Sequence, residues 1–220
     1  MADPGIADLV SRALPGRIVG TVERIGGDRG VFSLVHRVTL EAASVEPASV
    51  VVKQPDPGPN GTAAAASGAY EREAFAYRRI LPVTGVAAPH CYLVDDPGER
   101  RASFVLEDLT GSRAVDQLDG LSPADAGAVI DELAVLHRRW VGGAADDLPV
   151  RRATPGAFDP TALERGLAVV SERWGTAAGT AAPRVLRDLL ARRSELVETF
   201  AAAGPVTLCH GDPRADNVVF

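Results

Sequence analysis

The chain ends on CHGDPRADNVVF, residues 209–220, and this stretch holds the residues whose types and spacing best suit chemistry. Asp212 offers a carboxylate able to take the proton of a hydroxyl nucleophile. Asn217, five positions on, offers an amide oxygen able to hold a metal ion against phosphate oxygens. On a loop leaving a strand end, the two fit phosphoryl transfer, with Asp212 as base. Gly211 permits the tight backbone such a loop needs, and His210 reads as a structural residue whose ring bonds nearby backbone. The competing reading is an Asx-rich turn with a satisfied histidine and no chemistry. Cys209 reads as a small buried residue rather than a nucleophile.

A second candidate stands far upstream. Of the 23 basic residues only Lys53 is a lysine, and it sits behind three valines in SVVVKQP. A guanidinium is a wide planar fork, whereas an ammonium is a compact point charge that fits between phosphate oxygens and a carboxylate. The alternative is an accidental surface lysine on an edge strand.

These residues need elements to position them. RIVGTVERIGG, GVFSLVHRVTLEA and SVVVK read as three strands, the first two split by the turn signal GGDRG, and HCYLVDD and ASFVLEDL read as two more. PDPGPNGTAAAASG reads as a loop, and AYEREAFAYRRIL as a helix with an apolar stripe at Tyr70, Ala74, Tyr77 and Leu81. Glu73 borders that stripe and can pair with Lys53, while Glu71 points about 160° away toward solvent. FVLEDLTG reads as a strand entering an interlobe hinge, where the backbone at Glu107 and Leu109 can meet an adenine edge. Glu107 and Asp108 read equally well as a solvated strand end. The backbone amides of GGDRGVFS, residues 26–33, with Gly30 among them, can cover phosphates, and a plain hairpin turn explains the same glycines.

From residue 122 the pattern turns helical. Ser122, Pro123 and Asp125 mark a capped start for SPADAGAVIDELAVLHRRW. DPTALERGLAVVSERW and APRVLRDLLARRSELVETFAAAG predict two further helices, and VTLC a short strand into the terminal motif. Strands first and helices second indicate an α+β protein of two lobes.

Composition narrows the function. An apolar share of 46 % supports a real core, and a net charge of −6 with a pI near 5.3 argues against a nucleic-acid partner. No run of 18 uncharged apolar residues suggests a membrane span, and MADPGIADLVSRALPG shows neither a signal peptide nor an apolar core segment. Cys91 and Cys209, with no metal-ligand spacing, suit buried thiols in a reducing cytoplasm.

VVVKQP, YEREAFAYRRIL, FVLEDLTG, LAVLHRRW and LCHGDPRADNVVF, in this order, resemble the aminoglycoside phosphotransferase and choline kinase-like superfamily, and most closely its ecdysteroid kinase-like branch. The resemblance spans roughly residues 20 to 220 and implies a protein-kinase-like two-lobe fold. It implies an antiparallel-sheet N-lobe with one helix over 15–108, a hinge at 109–112, and an incomplete, mainly helical C-lobe over 113–220. It further implies ATP and Mg²⁺ as cofactors and a small-molecule hydroxyl as acceptor. Lys53 would contact the α/β-phosphates and pair with Glu73, residues 107–109 would receive adenine, Asp212 would act as base and Asn217 would help bind Mg²⁺.

The family carries a second metal-binding aspartate in a hairpin after the asparagine, and no Asp follows Asn217 here. The expectation is therefore a C-terminally truncated kinase with impaired transfer, an NVVF strand without its hairpin partner and a marginal C-lobe. The alternative is a nucleotide-binding remnant without turnover. A structural or interaction protein in which none of these residues meets a ligand is a third reading.

Overall fold

The computed structural model describes residues 4–26, 32–41, 46–98, 101–142, 160–174, 181–202 and 207–220. They form an α+β protein whose chain divides into two compact units, Met1–Pro149 with Thr207–Phe220, and Val150–Val206.

The first unit is built on a five-stranded antiparallel sheet in the order β1-β2-β3-β5-β4. The strands are β1 Val19–Ile25, β2 Ser33–Leu40, β3 Ser49–Pro55, β4 Cys91–Asp95 and β5 Ser103–Glu107. All five were expected. The apolar runs VVV and FVL of β3 and β5 have a physical reason, because these strands are covered on both faces and cannot alternate apolar with polar. On one face Val50, Val52 and Val105 join Val38 and Leu40 of β2. On the other Phe104 and Leu106 pack with helical residues.

The first face is closed by helix α1, Pro4–Ala13, whose Ile6, Leu9 and Val10 are buried in that core. No element was expected in this segment. Each of these side chains contributes on the order of 2 kcal/mol by burial, and Arg12 ties the helix to the end of β4 through a two-pronged ion pair with Asp95.

The second face is closed by helices α2, Pro59–Ala66, and α3, Ala69–Phe75. Helix α2 lies inside the segment expected to be a loop. A proline in its first turn is compatible with helix, and the alanines that follow are strong helix formers. Beyond α3 the chain passes through a π-helical turn, Ala76–Ile80, where the Leu81 N–H bonds the Ala76 carbonyl, into helix α4, Leu81–Thr84. The wide turn precedes Pro82, which has no N–H for the Arg78 carbonyl and would crowd it in a regular helix. Tyr70 and Ala74 are buried as expected, and Tyr77 packs beside them. Leu81 is only half-buried, and Ile80 and Thr84 form a second buried side, where Trp140 donates its indole N–H to the Thr84 hydroxyl.

Helix α5, Pro123–Trp140, starts as predicted: the Ser122 hydroxyl accepts the Asp125 N–H at 3.1 Å. The second unit contains α6, Pro160–Trp174, α7, Ala181–Ala191, and α8, Arg193–Ala202, so the single helix expected over the last two is broken at residue 192. Thr207–Cys209 form no strand, contrary to the reading of VTLC. Val206 and residues 27–31, which hold the GGDRG turn beyond Gly26 and include Gly30, lie outside the described residues. No helix among the described residues is long and apolar enough to cross a membrane.

Candidate active site

Strand β3 presents Val50 and Val52 to the α1 side and Val51 and Lys53 to the α3 side, as the two-residue period of a strand requires. Glu73 projects from α3 toward the same face. Lys53 Nζ lies 2.5 Å from Glu73 Oε1, and both side chains are 28 % exposed. The ammonium also stands 5.9 Å from the centre of the Phe104 ring on β5. Partial burial strengthens this pair relative to a surface one, and an ammonium has three donors. With one donor on Glu73, Lys53 can still bind anionic oxygens.

The terminal motif forms a loop around a short 3₁₀ turn, Ala215–Asn217, with Ala215 buried beneath it. Gly211 has φ +88°, a left-handed conformation that favours glycine. The Asp212 N–H points to His210 Nδ1 at 3.3 Å, which gives the histidine a local structural contact. Asn217 reaches back, its Nδ2 donating to the Asp212 carbonyl at 2.9 Å and to Asp212 Oδ2 at 3.0 Å. Both acceptors require the NH₂ end of the amide, so the carboxamide oxygen remains for another partner. The Asp212 side chain is 61 % exposed and has Arg214 Nε at 3.5 Å. Cys209, expected to be buried, is exposed, and Cys91 is half-buried. Burial pushes the Cys91 thiol above its ordinary range.

At the end of β5 the Glu107 N–H donates to the His90 carbonyl at 2.8 Å, and Glu107 Oε2 accepts the His90 N–H at 3.0 Å. The side chain therefore ties down the entry to β4. The Leu109 carbonyl accepts the Ser112 N–H at 3.0 Å.

The sequence model of the phosphotransferase enzyme family matches residues 30–220, a span that contains the Lys53–Glu73 pair, the end of β5 and the whole terminal loop. The chain belongs to the phosphotransferase enzyme family. No curated protein matches it. As a family member the chain is a kinase-like phosphotransferase, and its five-stranded antiparallel sheet with flanking helices agrees with a kinase-like N-lobe.

Within this phosphotransferase the predicted residues fall into three groups. Lys53 meets Glu73, Asp212 meets His210, Gly211 and Asn217, and Glu107 and Leu109 follow one another off β5. Gly30 lies outside the described residues. Among the described residues no group of three or more His, Cys, Asp or Glu could hold a metal ion.

Sequence reasoning missed Asp108. Read equally well as part of a hinge or as a solvated strand end, it has a side chain only 3 % exposed. It accepts from Ser49 Oγ at 2.7 Å, Thr110 Oγ1 at 2.8 Å and Arg37 Nε at 3.0 Å. Burial alone would raise its carboxyl, but these three donors and the Arg37 charge outweigh it and hold the group below the usual carboxylate range. Asp108 thus pins the exit of β5 to β2 and β3. The available signal was Thr110, two residues on, a spacing at which a hydroxyl can reach the carboxylate.

Proposed function

We propose that this phosphotransferase moves the γ-phosphoryl group of ATP to a hydroxyl of a small molecule with the help of Mg²⁺. The observation that carries the reading is the Lys53–Glu73 pair: the chain's single lysine, on the face of a rigid central strand, is aimed by a carboxylate on the adjacent helix. ATP supplies the transferable phosphoryl group, and Mg²⁺ offsets the charge on its oxygens.

The chain's own residues divide the remaining work. Lys53 holds α/β-phosphate oxygens with the donors Glu73 leaves over, and Glu73 keeps the ammonium in place. The Glu107 carbonyl and Leu109 N–H offer one acceptor and one donor, which suits an adenine edge, and the Asp108 contacts keep that segment from shifting. Gly30 belongs to the same proposal as a phosphate-covering backbone amide. Asp212 takes the proton of the acceptor hydroxyl. Asn217 fits a metal ligand, because its NH₂ is spent on Asp212 and its oxygen is left over. His210 and Gly211 shape the loop.

The test is ADP formation from ATP and Mg²⁺ across a panel of hydroxyl compounds comprising an aminoglycoside, a choline-like amine, a sugar and a steroid alcohol. Acceptor-dependent ADP release with any of them supports the reading. Tight ATP binding without ADP release would instead make the chain a nucleotide-binding protein without turnover.

A further inference from the structure

The last residue of the chain is held from three directions by one arginine. The Arg113 N–H donates to the Phe220 carbonyl at 2.7 Å, and the Phe220 N–H donates to the Arg113 carbonyl at 3.0 Å. Ala114 and Val219 complete an isolated antiparallel bridge, so the NVVF segment, expected as a strand without its hairpin partner, forms no strand and instead meets residues 113–114. The Arg113 guanidinium lies over the Phe220 ring, 4.8 Å from its centre. Its Nη2 donates to Asp125 Oδ1 at 2.5 Å, in the first turn of α5. The Ser122 hydroxyl and then Arg113 itself keep the Asp125 carboxyl below its ordinary range, so the pair is charged at neutral pH. Four residues along, the Gln117 N–H donates to Asp216 Oδ1 at 3.1 Å, directly beside Asn217.

We propose that Arg113 is a positioning residue for the Asp212–Asn217 loop, a role that rests on the function proposed above. Asp212 is largely exposed and, among the described residues, is held by the nearby His210, Arg214 and Asn217, and an exposed loop with few buried contacts opens readily. Its placement therefore depends on the tethers that hold the surrounding segment, the Gln117–Asp216 bond and those at its two ends. At the amino end the Thr207 hydroxyl donates to the His137 carbonyl at 2.7 Å, at the close of α5. At the carboxyl end Arg113 joins Phe220 to Asp125, at the start of the same helix. The two tethers hang the loop between the ends of α5, whose rigidity then fixes where the hydrogen-bonded Asp212–Asn217 pair stands. An arginine suits this task because its plane can stack on a ring while its edge donates to a carboxylate, and a lysine cannot do both. Positioning of this kind acts chiefly on the rate of transfer, because the Lys53–Glu73 pair that holds the phosphates is set by the sheet and not by the loop.

The experiment measures amide hydrogen exchange and basal ADP formation, with water as acceptor and Mg²⁺–ATP as substrate, on the full chain as wild type, Arg113→Ala, Arg113→Lys and Phe220→Ala. In Arg113→Ala, exchange in the 210–220 segment should rise at least tenfold while β3 and β5 keep wild-type protection. Basal kcat should fall at least tenfold with KM within twofold, and Arg113→Lys should recover only part of both losses. Phe220→Ala, which removes only the stacked ring, should show the same local pattern more weakly. Unchanged exchange in the 210–220 segment overturns the proposal, as does a rise throughout the sheet in both Arg113→Ala and Phe220→Ala, which would make the clamp a folding element. A change in KM at constant kcat overturns it too. If the wild type forms no ADP with water or with any acceptor of the panel above, the phosphotransfer reading falls, and the exchange data alone still decide whether Arg113 holds the loop.

Discussion

Lys53 and Asp212 belong to the same compact unit, yet they are held in opposite ways. Lys53 stands on a strand packed on both faces, between the α1 core and the α3 core, and is itself mostly covered. Asp212 stands on an exposed loop whose order depends on a left-handed glycine, one asparagine and a few tethers. The first is positioned by many apolar contacts, the second by a handful of polar ones. Substitutions that disturb the two places should therefore differ in kind, with stability affected around Lys53 and rate around Asp212.

The largest expected effect lies on the loop. Asp212→Asn should lower phosphoryl transfer by about 10²–10⁴-fold, the usual contribution of a positioned general base, with an unfolding curve that superimposes on wild type. A substantial loss of stability instead would erase the contrast, because it would make the exposed loop part of the core.

The reverse test falls on the sheet. Leu9→Ala, at a buried position of α1, should destabilise the protein by about 3 kcal/mol in urea unfolding. A value near zero would show that α1 does not belong to the core that holds β3.

That helix was readable in principle. Ile6, Leu9, Val10 and Ala13 follow helical spacing behind Pro4, within a segment too short for its period to stand out. The five strands and the capped start of α5 were legible because they depend on local pattern. The Lys53–Glu73 pair was legible because strand and helix periods both aimed at one face. Asp108 was not, since Arg37 lies 71 residues away and no local pattern announces its approach. The partner of the NVVF segment was hidden in the same way, about a hundred residues upstream. VTLC failed as a strand because three or four apolar residues carry no information about whether a neighbour exists to pair with them.

Asp108 sharpens the comparison through pH. Its carboxyl is depressed in the folded protein, so its contribution is present above the unfolded value of about 4 and is lost as pH falls through the lower folded value. Asp108→Asn should destabilise by about 3 kcal/mol at pH 7, and the gap to wild type should narrow as the pH drops below about 4. A gap that stays constant to acid pH would mean that the charge does not matter there.

The smallest effect belongs to the cap of α5. Ser122→Ala should cost about 1 kcal/mol, because it removes the acceptor of the Asp125 N–H, and a loss well beyond that would show the cap also supports the loop through Asp125 and Arg113.

The central claim is that the Lys53–Glu73 face receives the phosphates of ATP, and titration calorimetry tests it most directly. Mg²⁺–ATP should bind the wild-type chain, and Lys53→Ala should weaken binding about 10–100-fold, the loss expected for one charge-assisted contact to phosphate, while the fold is retained. Equal affinity in wild type and a folded Lys53→Ala variant would contradict the account, as would a folded wild type that binds no nucleotide.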